Sequence, residues 1–178
     1  MASTSCNLTA AIALDCLDSI GGIKTLWVSS NADLGTITAG ATSGITACTG
    51  ATGTFYQIEV AKDVASFTET FNISNTNGTA FFTQEVTIPV QHLSSAKRAQ
   101  IQLLTYNRNS KVLFEDNNGL YWLVGLTRGC VVSTGTTVTG VAPGDASQYS
   151  FVLQAMEPEM AYQVSSLASL TGVTVTNA

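Results

Sequence analysis

The long middle of the chain is a succession of segments with strand chemistry, interrupted by one short stretch with helix chemistry. Between Ile23 and Val90 the segments IKTLWVSS, GTFYQIEVAK, SFTETFNIS and TAFFTQEVTIPV follow one another, rich in Thr, Val, Ile, Phe and Tyr. β-Branched and aromatic side chains fit a pleated, half-buried surface. This order predicts a mainly β fold, a β-sandwich or barrel with one flanking α-helix.

Turn residues divide the strands. Asn75-Thr-Asn-Gly78 separates Ser66–Ser74 from Thr79–Gln91, and Asn118-Gly119 sits inside KVLFEDNNGLYWLVG (Lys111–Gly125). Asn and Gly accept positive φ, so the second stretch predicts a hairpin. Thr79–Gln91 is the longest strand expected. Its period of two puts Phe82, Val86, Ile88 and Val90 on one face, and Phe81, Thr83, Glu85 and Thr87 on the other. Pro89 cannot donate to a ladder, so the pairing ends or becomes an edge near it. Further strands are expected at Ile23–Ser30, Gly53–Lys62, Arg128–Gly140 and Gln148–Met156, the last stopped by Glu157-Pro-Glu159. The Gly/Ala/Thr-rich stretch Gly35–Gly53 reads as an irregular hairpin or as a loop ordered by a neighbour. Its Gly50-Ala-Thr-Gly53 lacks the Lys-Ser/Thr and the helix of a phosphate-binding loop.

The one helix is expected near 94–108. Ser94 or Ser95 caps Ala96–Tyr106, with Ile101 and Leu104 on one face and Leu93 joining at its start. The chain divides into an N-terminal arm (1–22), one β domain (23–160) and a C-terminal tail (161–178) that docks on a partner or frays. It has no internal repeat and no interdomain linker.

Charge is the second constraint. Of 178 residues 45% are hydrophobic but only 11% charged, against about 25% in an ordinary domain. Interface cores are depleted in charge, so one reading is a surface buried against sister copies. The other is a Thr/Ser-rich β protein that is polar without charge. The net charge of −5 argues against sequence-reading nucleic-acid binding, which needs a basic face. An acidic wall past which nucleic acid slides remains compatible with it.

Chemistry-bearing residues are sparse. Cys6, Cys16, Cys48 and Cys130 form no zinc-type spacing, and free thiols are the default. The N-terminus lacks the basic start of a secretion signal, so the formal sequons at Asn7, Asn72 and Asn77 carry no weight. His92 is the only histidine. Without a nucleophile elbow it makes no triad and reads as a surface or capping residue. The carboxylate pairs Asp15/Asp18, Glu115/Asp116 and Glu157/Glu159 are of the kind any acidic chain supplies by chance. The Asp116–Asn118 run is too short a set of oxygens for calcium. Trp27, Trp122, Tyr56 and Tyr121 fit a core or an interface, with a carbohydrate platform as the alternative. No catalytic role, metal or cofactor is expected. Glu59, Glu69 and Glu85 lie inside expected strands, and a solvated face shared by neighbouring strands, such as a channel lining, would accommodate them. Lys97, Arg98 and Arg108 cluster in and after the helix, either on a solvated outer face or against an acidic neighbouring subunit.

Several runs carry a family likeness: DSIGGIKTLWVS, FYQIEVAKDVASFTETFNIS, NGTAFFTQEVTIPV, the helix SSAKRAQIQLL and the hairpin EDNNGLYWLVG. Their order over roughly residues 5–160 resembles the tail tube (major tail) proteins of tailed bacteriophages. The resemblance implies hexameric rings that stack into a hollow tube, assembled in the host bacterial cytoplasm. The genome would leave through that tube without sequence-specific binding. Inner strands of neighbouring subunits would join into one barrel, with Glu59, Glu69 and Glu85 facing the lumen and Lys97, Arg98 and Arg108 at subunit contacts. The expected partners are further copies of the chain and other tail proteins, with no membrane. A head–tail connector ring, a decoration protein or a carbohydrate-binding β-sandwich would read similarly.

Overall fold

The computed structural model describes residues 10–14, 16–30, 32–39 and 44–178. Cys6, the Asn7 sequon, Asp15 and most of the expected N-terminal arm lie outside the described residues. Among the described residues twelve strands form two sheets, accompanied by one α-helix. β1 (Ile23–Ser29), β2 (Thr36–Ala39), β3 (Ile45–Thr49), β4 (Thr54–Ile58), β7 (Lys111–Asp116), β8 (Tyr121–Val124), β11 (Tyr162–Val164) and β12 (Thr174–Thr176) make an eight-stranded sheet. Its order is β12-β4-β1-β7-β8-β11-β3-β2. β5 (Ser66–Ser74), β6 (Thr79–Gln91), β9 (Val131–Val138) and β10 (Gln148–Glu157) make a second sheet in the order β5-β6-β10-β9. The mainly β fold with one helix, α1 (Ser95–Tyr106), is as the segment chemistry predicts.

Two cores follow from this arrangement. One lies between the sheets, built from Leu26, Val28, Val112, Phe114 and Val124 on one side and Val86, Ile88, Phe151 and Leu153 on the other. The second lies on the far face of the larger sheet, where Trp27, Ile45, Phe55, Leu113, Leu123 and Val164 pack together. The larger sheet is therefore buried on both faces. That is why β1 and β7 read as nearly continuous apolar runs, whereas β6 alternates.

β4 and β5 are joined through Asp63, which has φ 61°, but they belong to different sheets. The chain crosses the sandwich there, so the strands expected in Gly53–Lys62 and Ser66–Ser74 are not neighbours in one sheet. The expected tail at 161–178 is also corrected. β11 pairs antiparallel with β8 and parallel with β3, and β12 pairs parallel with β4. Val164 and Leu170 are buried in the second core, so this segment completes the domain instead of trailing from it. Within the Gly-rich 35–53 stretch, β2 and β3 pair antiparallel and β3 lies beside β11; residues 40–43 lie outside the described residues.

α1 begins at Ser94, whose side chain accepts the Lys97 N–H at 3.2 Å. It ends at Asn107, whose N–H reaches Leu104 O at 3.1 Å and whose Nδ2 donates to Ser30 O at 2.7 Å. Ile101 and Leu104 rest on the inter-sheet core, and no helix residue is fully buried. Pro89 lies inside β6 opposite Ser150, but β5 pairs with β6 only as far as Thr87. β6 is thus an edge on that side at Pro89, where a missing N–H costs nothing.

Candidate functional site

The β6 register with its two neighbours settles which side chains share a face. Residues directly opposite in a ladder point the same way. Glu85 stands opposite Thr68 on β5 and Gln154 on β10. The same outward face carries Thr70, Asn72, Thr83, Thr87, Ser150, Val152, Thr134 and Thr136. Glu85 is its one charged side chain, and it accepts a 2.6 Å hydrogen bond from Gln154 Nε2. The face is mostly hydroxyl and amide, with Phe81, Val131, Val138 and Met156 also exposed on it and a single carboxylate near its middle.

Glu69 does not share that face. It stands opposite Gln84, on the side of Phe67 and Val86, which face the core. Its carboxylate accepts from Gln84 Nε2 and from the Ala161 N–H, both at 2.9 Å. Gln84 is 1% exposed. It also donates to Glu159 O and accepts from the Gly125 N–H, each at 3.2 Å. Close by, Glu157 is 3% exposed, and its carboxylate accepts the N–H groups of Thr127 and Arg128 at 3.2 and 2.8 Å. Gln84, Thr127, Glu157 and Glu159 border a void of about 10 Å³. Every buried carboxylate oxygen that this polar seam uses has a donor, which is what makes its burial tolerable. Glu59 lies elsewhere again, exposed just beyond β4 in the other sheet. The expectation of one solvated face holding all three glutamates is therefore corrected. The inward side of Glu69 was readable from period two, since Phe67, Phe71 and Ile73 alternate with the outward Thr68, Thr70 and Asn72.

The edges of the four-stranded sheet are its other distinctive feature. Among the described residues β5 pairs only with β6 and β9 only with β10, leaving one ladder side of each without a partner strand. These edges are nine and eight residues long. The larger sheet ends instead in strands of four and three residues, β2 and β12. Proteins that must stay single blunt long edges with Lys, Pro or inward charges. β9 (VVSTGTTV) has none of these, and the one charge of β5 is the engaged Glu69. Apolar groups are also bare nearby: Phe71 is 56% and Ile73 70% exposed, and Phe71 rests edge-on against Phe82. Ile12, Leu14 and Leu17, before the first strand, are almost wholly exposed.

The basic trio separates. Lys97 Nζ donates to Gln91 O at 2.6 Å, closing the end of β6 within the chain. Arg98 and Arg108 are exposed and form no ion pair among the described residues. His92 is exposed at the end of β6 with φ 65°, and its N–H donates to Ser147 O at 2.9 Å. It borders an open cleft of about 350 Å³ with Gln91, Asp145 and Gln148. Asp145 is engaged by the N–H groups of Val141 and Ala142, both at 2.7 Å, which hold its carboxyl below the usual range. Glu115 binds Lys24 at 2.7 Å, and Asp116 accepts from Asn118 N, Leu120 N and Trp122 Nε1. Of the expected pairs, Asp116 and Glu157 thus fasten a turn and a loop, and Glu115 bridges β7 to β1. Trp27 is buried, Trp122 half-buried and Tyr56 exposed. Cys48 and Cys130 are buried free thiols and Cys16 is exposed. Burial pushes the Cys130 thiol up to about 12, reinforced by Glu157. Among the described residues no three His, Cys, Asp or Glu side chains come together as a metal site.

No family model matches this chain, and no curated protein or solved structure matches it either.

Proposed function

We propose that this chain is a self-assembling ring subunit of a phage tail tube, as its sequence resemblance implies. The observation that supports this most is the pair of long edges without Lys, Arg or Pro, β5 and β9, unpaired among the described residues and on opposite sides of one sheet; their one charge, Glu69, points inward and is hydrogen-bonded. Pairing β9 of one copy with β5 of the next is a heterologous contact, which generates a ring when its rotation closes. Closure removes every edge of this sheet, as in a barrel. Each backbone hydrogen bond gained is worth about 0.5–1.5 kcal/mol net. Burying Ile73 or Leu14 on a neighbour would add about 1.5–3 kcal/mol each.

In such a ring the hydroxyl-rich face around Glu85 lines the channel. Neutral oxygens and a sparse ring of carboxylates offer phosphates nothing to hold, so DNA passes without sticking. The sparse charge of the whole chain fits surfaces that are covered by sister copies. Arg98 and Arg108 are exposed cations available to an acidic neighbour.

Electron microscopy of the purified protein at rising concentration tests the reading. Rings or tubes with a central channel are expected. Protein that stays monomeric at high concentration, and does not polymerise on a tail initiator, would end it. Location on purified virions separates a tail tube from a connector ring or a decoration protein.

A further inference from the structure

We propose that the tip of the β5–β6 hairpin is a site of spontaneous chemical modification, in which Asn77 converts to aspartate and isoaspartate, and that the second Asn-Gly pair, Asn118-Gly119, is protected by the fold. The two pairs have the same local chemistry. In each, the backbone nitrogen of a glycine without a side chain can reach the preceding Asn Cγ. Attack forms a Cγ–N bond and the Cγ–Nδ2 bond breaks, and the proton lost by the glycine N–H is passed through solvent to Nδ2, which leaves as ammonia. Water then opens the resulting succinimide at one of its two C–N bonds, giving aspartate or isoaspartate. The net change is amide plus water to carboxylate plus ammonium, with no oxidant or reductant.

The structure separates the two sites. Asn77 and Gly78 are exposed in the four-residue loop between Ser74 and Thr79. Among the described residues the Asn77 side-chain amide has no hydrogen-bond partner, and the space beside Gly78 is empty to 4 Å. The Asn77 amide is therefore free to turn toward the Gly78 nitrogen. Asn118 is held on every side. Its Oδ1 accepts from the Ile20 N–H at 2.8 Å and its Nδ2 donates to Ile20 O at 3.0 Å. Its own N–H donates to Asp116 Oδ1 at 2.8 Å. The attacking group is also engaged, because the Gly119 N–H donates to Asp116 O at 3.1 Å. Rotating the Asn118 amide into position breaks at least two of these bonds, which slows its reaction by about tenfold or more.

Conversion places a negative charge on the hairpin tip. The isoaspartate form also adds a backbone carbon to the loop that keeps Ser74 opposite Thr79. Residues Phe71, Ile73 and Phe82 lie just behind that pair, so the modification alters the most exposed apolar part of the sheet.

The test is incubation of the purified full chain at mildly alkaline pH, followed by peptide mass mapping and enzymatic isoaspartate labelling, in buffer and in denaturing urea. In buffer, conversion within the peptide spanning 63–97 is expected to outrun conversion at Asn118 by about tenfold or more. In urea the two sites should converge, because only the fold distinguishes them. Asn77→Ser should abolish the label on the 63–97 peptide. Equal rates in buffer, faster conversion of Asn118, or a label on that peptide that survives Asn77→Ser would overturn the proposal.

Discussion

Glu69 and Gln84 face each other across β5 and β6 on the core side of the sheet, joined by a 2.9 Å hydrogen bond. Gln84 in turn bonds Gly125, just past β8 of the opposite sheet, and Glu159 of the segment leading into β11. The pair therefore fastens both sheets at one end of the sandwich. Glu69→Ala leaves two donors without their acceptor, a cost of about 1–3 kcal/mol for each one that stays buried. Gln84→Ala should cost a similar amount. Urea unfolding of both variants checks this, and wild-type midpoints would mean that solvent replaces the lost bonds.

Glu85→Lys makes the opposite contrast, because it sits on the outer face with a single side-chain partner, Gln154. Its stability should change by less than about 1 kcal/mol. In assembled tubes the same change turns a ring of carboxylates into a ring of ammonium groups. Tubes of the variant should retain DNA at low salt and release it as salt rises. Retention indistinguishable from wild type in a gel-shift assay would remove Glu85 from the channel wall.

Charge on the open edge should block association without harming the fold. Thr134 and Thr136 of β9 are exposed and on the outer face. Thr134→Lys/Thr136→Lys should unfold at nearly the wild-type temperature yet sediment as a monomer where the wild type forms rings. Unchanged ring formation by the double variant would show that β9 is not the joining edge.

Truncation after Ala161 tests the integration of the C-terminal segment. It removes Val164 and Leu170 from the second core and uncovers β3, β4 and β8. Loss of one buried Leu or Val side chain alone costs on the order of 2–5 kcal/mol, so the truncated chain should be insoluble or lack cooperative unfolding. A soluble product with the full-length melting temperature would contradict the pairing of β11 and β12.

Cys130 makes stability depend on alkaline pH. Its thiol is held protonated up to about 12 in the folded chain, against 9.0 when unperturbed. Above pH 9 the unfolded chain releases this proton and the folded chain keeps it, so the unfolded state gains. The contribution is intact below pH 9 and is lost as pH climbs toward 12. Urea midpoints measured from pH 8 to pH 11 should fall, and less steeply in Cys130→Ala. In native protein at pH 8 the exposed Cys16 should react with a thiol reagent while Cys130 does not.

Much of the element pattern was legible from local chemistry. The alternation of Phe82, Val86, Ile88 and Val90 identified the core face of β6. Asn118-Gly119 marked the β7–β8 turn, and the Ser94-Ser95 pair marked the start of α1, with Ser94 as the cap. Glu69 was legible too, since its neighbours two residues away are aromatic. Charge alone suggests solvent there, whereas in the fold the carboxylate is satisfied by Gln84 and the Ala161 N–H.

The remaining features depend on partners far away along the chain. Short strands such as Tyr162–Val164 and Thr174–Thr176 carry no pattern of their own and exist because β8, β3 and β4 offer them ladders. The assignment of β4 and β5 to different sheets rests on the turn at Asp63 and on the neighbours each strand meets. Strand identity, turns and capping arise from residues next to one another, which is why a linear reading reached them. Sheet membership, which edges stay open, and whether a glutamate meets solvent or an amide arise from pairings between distant segments, and folding alone brings those together.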